Sequence, residues 1–119
     1  MVCMYFPHIL KKVQAVVDEH IGRNRLPNFS DIQRIPYITA LIRELFRWRT
    51  VAPLAIPHAS VQDDTYNGYF IPKGATVFPL SQTIHEDEEL YPDHTTFKPE
   101  RFLNEKGQLN NLPHAGFGL

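Results

Sequence analysis

The chain has one cysteine, Cys3, among 119 residues. A lone cysteine forms no internal disulfide and excludes a Cys-rich zinc site, so nothing here suggests a stapled secreted scaffold. No apolar run approaches the roughly 18 residues that a membrane-spanning helix needs. Met1 to Phe6 is apolar but too short and too poor in charge for a signal peptide. Net charge is -1, which removes the electrostatic case for binding nucleic acid or an anionic membrane. There is no internal repeat, no low-complexity tract, no glycine-rich phosphate loop and no Gly-x-Ser-x-Gly elbow.

Hydrophobic residues make up 43% of the chain, which excludes a disordered tail and leaves one domain's worth of globular sequence. Ten prolines at this length argue against a pure helical bundle and for much irregular backbone.

Pro7 to Ile21 reads as an amphipathic helix, with Ile9, Leu10, Val13, Val16, Val17 and Ile21 at helical spacing. Pro7 suits its first turn and Gly22 its end. Ser30 with Gln33 fits a capping box that starts a short helical turn. Pro36 opens a longer helix to about Arg49, with Ile38, Leu41, Ile42 and Leu45 as the apolar stripe. On that wheel Arg47 falls nearly opposite the stripe and Glu44 on its flank, so periodicity alone leaves both solvated. Val51 to Val61 holds Pro53 and Pro57 and reads as extended chain. Tyr66-Asn67-Gly68-Tyr69 is a two-residue hairpin signal. Ile71-Pro72-Lys73-Gly74 has the residue order of a type I turn. Ala75 to Phe78 reads as a strand, Ser81 to Leu90 as a short helix, and the chain from Tyr91 onward as coil. The fold class that follows is α+β.

Two short patterns stand out. Glu44-Leu45-Phe46-Arg47 puts a carboxylate and a guanidinium three apart on one helical face. Pro99-Glu100-Arg101-Phe102 brings a second arginine in a proline-rich stretch. A guanidinium fork matches carboxylate geometry, so one Glu held by two Arg is a way to fasten a helix to an irregular segment. Taken alone, Glu44 and Arg47 read as a solvated surface pair. The chain ends on Phe117-Gly118-Leu119.

In this order the motifs resemble the C-terminal part of a cytochrome P450. That family carries a Glu-x-x-Arg helix, a Pro-Glu-Arg-Phe segment, and then Phe-Gly-x-Gly-x-Arg-x-Cys, whose thiolate binds haem iron. The resemblance covers about residues 6–119 and implies an incomplete piece of a mainly α fold. Its parts would be the end of the oxygen-activating helix, two helices, a small β hairpin or sheet, a coil meander and the start of the haem loop, together a partial domain over residues 1–119.

The resemblance implies a structural network of Glu44, Arg47 and Arg101, buried, with no part in chemistry on substrate. It implies haem as the parent's cofactor, with Phe117 and Gly118 opening the haem loop and His58 near a propionate. An ordinary loop histidine would look the same as His58, and Ala59 stands where many relatives have an arginine. It implies that Val51, Leu54, Ala55 and Ile56 line a pocket for a small apolar substrate, although extended proline-containing backbone packs that way without a substrate. His85 reads as structural or surface. The parent would draw electrons from NADPH through NADPH-cytochrome P450 reductase, at the cytoplasmic face of the endoplasmic reticulum membrane. The ligand cysteine is absent from the chain, and Cys3 lies on the wrong side of the helices to replace it. The expectation is therefore a piece inactive by itself, with exposed apolar surface, soluble or prone to aggregate. The alternative is a small non-catalytic binding or interaction domain derived from the same family.

Overall fold

A computed structural model describes residues 2–113. A short helix α1 (Val2–Tyr5) precedes α2 (Pro7–Ile21), α3 (Phe29–Ile32) and α4 (Pro36–Trp48). Two small antiparallel sheets follow, then α5 (Ser81–His85), and a 3-10 turn at Pro99–Phe102. Together these give an α+β arrangement.

α2 has the bounds its sequence predicts. Pro7 occupies the first turn, where a missing N–H costs nothing. Gly22 ends the helix at φ 76°, with its N–H bonded to the Asp18 carbonyl at 3.0 Å. Ile9 is its buried residue; Val13, Val16, Val17 and Ile21 are half-buried.

The capping box lies two residues earlier than expected. Asn28 is the N-cap of α3: its side chain accepts from the Asp31 amide, and the Asp31 carboxylate accepts from the Asn28 amide at 2.8 Å. Arg25 decides this choice of cap over Ser30. It grips both Asp31 oxygens at 2.7 and 2.8 Å, a bidentate contact that Gln33 has no charge to make.

α4 turns a different face inward from the one its apolar stripe predicts. Tyr37, Ala40, Glu44 and Arg47 are buried, at helical spacing. Ile38, Leu41, Ile42 and Leu45 are half-buried. Ala40 explains the rotation, because its small side chain lets Tyr91 and Phe102 approach the helix. Those three form the buried core, with Leu103, Leu109 and Leu112 packed around it.

The two-stranded sheets are nested. β1 (His58–Ala59) pairs with β4 (Thr76–Val77), and the hairpin of β2 (Asp64–Tyr66) and β3 (Tyr69–Ile71) lies between them in sequence. Asn67 and Gly68 both have positive φ, 49° and 83°, as a two-residue hairpin turn requires. The next turn is shifted by one from its predicted frame. Ala75 donates to the Pro72 carbonyl at 3.0 Å, which puts Gly74 third, at φ 83°. A type II turn needs that positive φ, and glycine supplies it.

α5 stops at His85 and does not run to Leu90. The Asp87 carboxylate captures the amides of Glu89 and Leu90 at 2.8 and 3.1 Å, which competes with a continued helix. The acidic residues Glu86 to Glu89 would also sit at the unfavourable negative end of the helix dipole. The radius of gyration is 18.1 Å, against about 13.5 Å for a compact chain of this length. Much apolar surface accordingly stays in contact with solvent.

Candidate functional site

The buried face of α4 meets the segment from Tyr91 to Phe102. Glu44 is fully buried and accepts four hydrogen bonds. Arg47 Nε donates to Oε2 at 2.7 Å and Arg47 Nη2 to Oε1 at 2.9 Å. From the far side, Arg101 Nε donates to Oε1 at 3.2 Å. The backbone N–H of Lys98 completes the set at 2.8 Å. Glu44 and Arg47 come from one helix. Arg101 arrives 57 residues beyond Glu44, in the 3-10 turn.

Neither arginine relies on Glu44 alone. Arg47 Nη1 donates to the His85 carbonyl at 3.0 Å and Nη2 to the His94 carbonyl at 2.8 Å. Its guanidinium also stands 5.5 Å from the centre of the Tyr91 ring. Arg101 donates to the carbonyls of Pro92, Asp93 and Thr96 at 2.9, 3.1 and 3.1 Å. Asp93 has φ 61°, an unusual conformation for a side-chain-bearing residue, in the stretch whose carbonyls face Arg101. The two guanidinium groups thus fold residues 85–101 around themselves. Burying this much charge is tolerable only because almost every donor has an acceptor. The arrangement is a lock that joins α4 to the 85–101 segment.

Several partners had no sequence signal. Backbone carbonyls and the Lys98 amide cannot be read from residue types. His85 could be placed only in outline as structural or surface. It is buried, its Nδ1 lies 2.8 Å from Thr50 Oγ1, and its carbonyl takes Arg47. A second cluster was also missed. Glu100 Oε1 accepts from Lys12 Nζ at 2.6 Å and from Tyr37 Oη at 3.4 Å. Burial first, then the Glu100 charge, pushes the Tyr37 phenol up to about 12. Burial works to raise Glu100, but the Lys12 and Tyr37 hydrogen bonds and the Lys12 charge outweigh it and hold that carboxyl below its ordinary range.

The other sequence candidates stand apart from the lock. His58 is exposed in β1. Val51, Leu54 and Ile56 are exposed, Val51 at 87% and Ile56 at 75%, and Ala55 is half-buried at φ 49°. A cleft of about 370 Å³ opens beside Arg47, lined by Trp48, Thr50, Gln82 and His85 among others, and Val51, Leu54, Ala55 and Ile56 are not part of its lining. Phe117 and Gly118 lie outside the described residues.

The family model described as Cytochrome P450 matches residues 1–119. The chain belongs to the cytochrome P450 family. It is 49% identical over 105 residues to cytochrome P450 monooxygenase COX2 of Coprinopsis cinerea, covering 88% of this chain and 20% of that protein. It is 44% identical over 117 residues to cytochrome P450 monooxygenase claR of Ampulloclitocybe clavipes, covering 95% and 22%. Identity to cytochrome P450 monooxygenase 58 of Postia placenta is 41% over 111 residues, covering 93% and 21%. The chain therefore spans about a fifth of the length of the curated relatives it matches.

A cytochrome P450 implies haem. In this family the iron takes one thiolate from the protein, and the described residues are not arranged around such a group. Among the described residues no group of three or more His, Cys, Asp and Glu could hold a metal ion. The one cysteine belongs to α1, before every element of the lock. No helix among the described residues is long and apolar enough to cross a membrane.

Proposed function

We propose that this chain is the part of a haem-thiolate monooxygenase that fixes the approach to its haem loop. The observation that carries the reading is the shared carboxylate: Glu44 takes Arg47 from its own helix and Arg101 from the 3-10 turn. Held this way, the segment from Tyr91 to Pro113 is anchored on α4. Glu44, Arg47 and Arg101 serve as structure and touch no substrate. His58, Phe117 and Gly118 are the proposed contacts to haem.

The proposed reaction of the whole protein is insertion of one oxygen atom of O2 into a small apolar organic substrate. Electrons come from NADPH through NADPH-cytochrome P450 reductase, at the cytoplasmic face of the endoplasmic reticulum. The apolar run Val51, Leu54, Ala55 and Ile56, exposed except at Ala55, supports an apolar substrate wall. By itself the chain is proposed to be inactive, since it offers no thiolate beyond Cys3.

The test has two arms. Reading the transcript past Leu119 should give Gly-x-Arg-x-Cys in frame. Reconstituting this chain with haem, reducing it and adding carbon monoxide should give no thiolate-type band, whereas the polypeptide extended through that cysteine should give one. A thiolate-type band from the chain alone, or a different sequence past Leu119, overturns the reading.

A further inference from the structure

Glu100 and Arg101 are neighbours of opposite charge in one 3-10 turn, and they face different helices. Arg101 reaches Glu44 on α4. Glu100 reaches Lys12 on α2, 88 residues away in sequence, at 2.6 Å. Tyr37, buried at the start of α4, donates to the same Glu100 oxygen, and its ring lies 4.5 Å from the Lys12 ammonium. A continuous chain of contacts therefore runs Lys12, Glu100, Arg101, Glu44, from α2 through the turn into the buried lock.

We propose that Glu100 is a positioning residue that sets the register of the 3-10 turn; its purpose in the reaction rests on the function proposed above. The bonds from Arg101 to the Pro92, Asp93 and Thr96 carbonyls stay within its own segment and leave the position of the turn against α2 open. Glu100 removes that freedom. Any shift that carries Arg101 along Glu44 pulls Glu100 off Lys12 and Tyr37. The backbone passes the fixed register onward: Leu103 N–H bonds to the Glu100 carbonyl at 3.0 Å, and Asn110 is tied to Arg101 and Phe102 at 2.7 and 2.9 Å. The α2 helix therefore sets the heading of residues 103–113 as well as α4.

Charge exchange tests this in the chain itself. The variants are Lys12→Glu, Glu100→Lys and the double exchange, read by hydrogen exchange at the Leu103 and Asn110 amides. Each single change should speed exchange there about 2–5-fold, as expected for an exposed pair. The double exchange should restore the original rates, and amides inside α4 should keep theirs in all three. Three results overturn the proposal: unchanged rates in the singles, a double that multiplies the two losses, or no protection at Leu103 and Asn110 in the unaltered chain. A loss shared equally by α4 would mean a general stability effect and would also overturn it. None of these readouts involves haem, so they fail independently of the carbon monoxide test.

Discussion

The backbone N–H of Lys98 donates to the same Glu44 oxygen that receives Arg101, at 2.8 Å. The carboxylate is therefore bound to the main chain of the 91–102 segment as well as to its side chain. Glu44→Gln keeps the shape and loses the charge, and both arginines remain buried without their anion. The expected cost is about 3–5 kcal/mol, a large share of what a small domain has in total. Urea denaturation should show the midpoint falling accordingly. An unchanged midpoint would mean that Glu44 is not paired in solution.

Arg101→Lys tests the fork. Lysine keeps the charge but cannot reach Glu44 and three carbonyls in one plane. The carbonyls of Pro92, Asp93 and Thr96 then lose their donor, at an expected cost of about 1–3 kcal/mol. Loss of amide protection around Thr96 is the direct readout.

Ala55 and Asp93 have φ values of 49° and 61°. Glycine adopts that region freely. Ala55→Gly should be neutral or stabilising by up to about 1 kcal/mol, whereas Ala55→Val should cost more than that. The thermal midpoint of Ala55→Val should fall, and that of Ala55→Gly should stay level or rise.

Tyr37 should be a late tyrosine in an alkaline absorbance titration, ionising near 12. Its folded value lies above its ordinary value near 10. Its contribution is therefore complete below about 10 and is lost as pH rises toward 12. Tyr37→Phe removes that late step. Glu100 and Asp31 act in the opposite sense. Both are held below the usual carboxylate range, Asp31 chiefly by its hydrogen bonds from Arg25, so their contributions are present near neutrality and are lost as acid protonates them.

Asn28→Ala removes the N-cap of α3 and should cost about 0.5–2 kcal/mol. Ser30→Ala should cost less, since Ser30 does not cap the helix. Reversal of that order in paired denaturation curves would restore the frame suggested by Ser30 and Gln33.

Local signals in the sequence were legible where one residue type dictates one backbone state. Pro7 and Gly22 bound α2, and Asn67-Gly68 closes the hairpin. The signals failed where distant partners decide. Arg25 moved the cap to Asn28, and Asp87 cut α5 short. The helical wheel of α4 placed Glu44 and Arg47 in water, because hydrophobicity gives no weight to a paired, fully bonded charge. The family resemblance drew those two residues together with Arg101, whereas the carbonyls that complete the lock leave no trace in residue type.

Phe6, between α1 and α2, stacks on Phe97 at 5.0 Å and meets the edge of Trp48 at 5.6 Å, while Trp48 Nε1 donates to the Thr95 carbonyl at 2.7 Å. Trp48 is the sole indole of the chain. Its emission is thus a built-in optical gauge of whether the amino-terminal helices and the Thr95–Phe97 stretch are seated on α4, with no label to add.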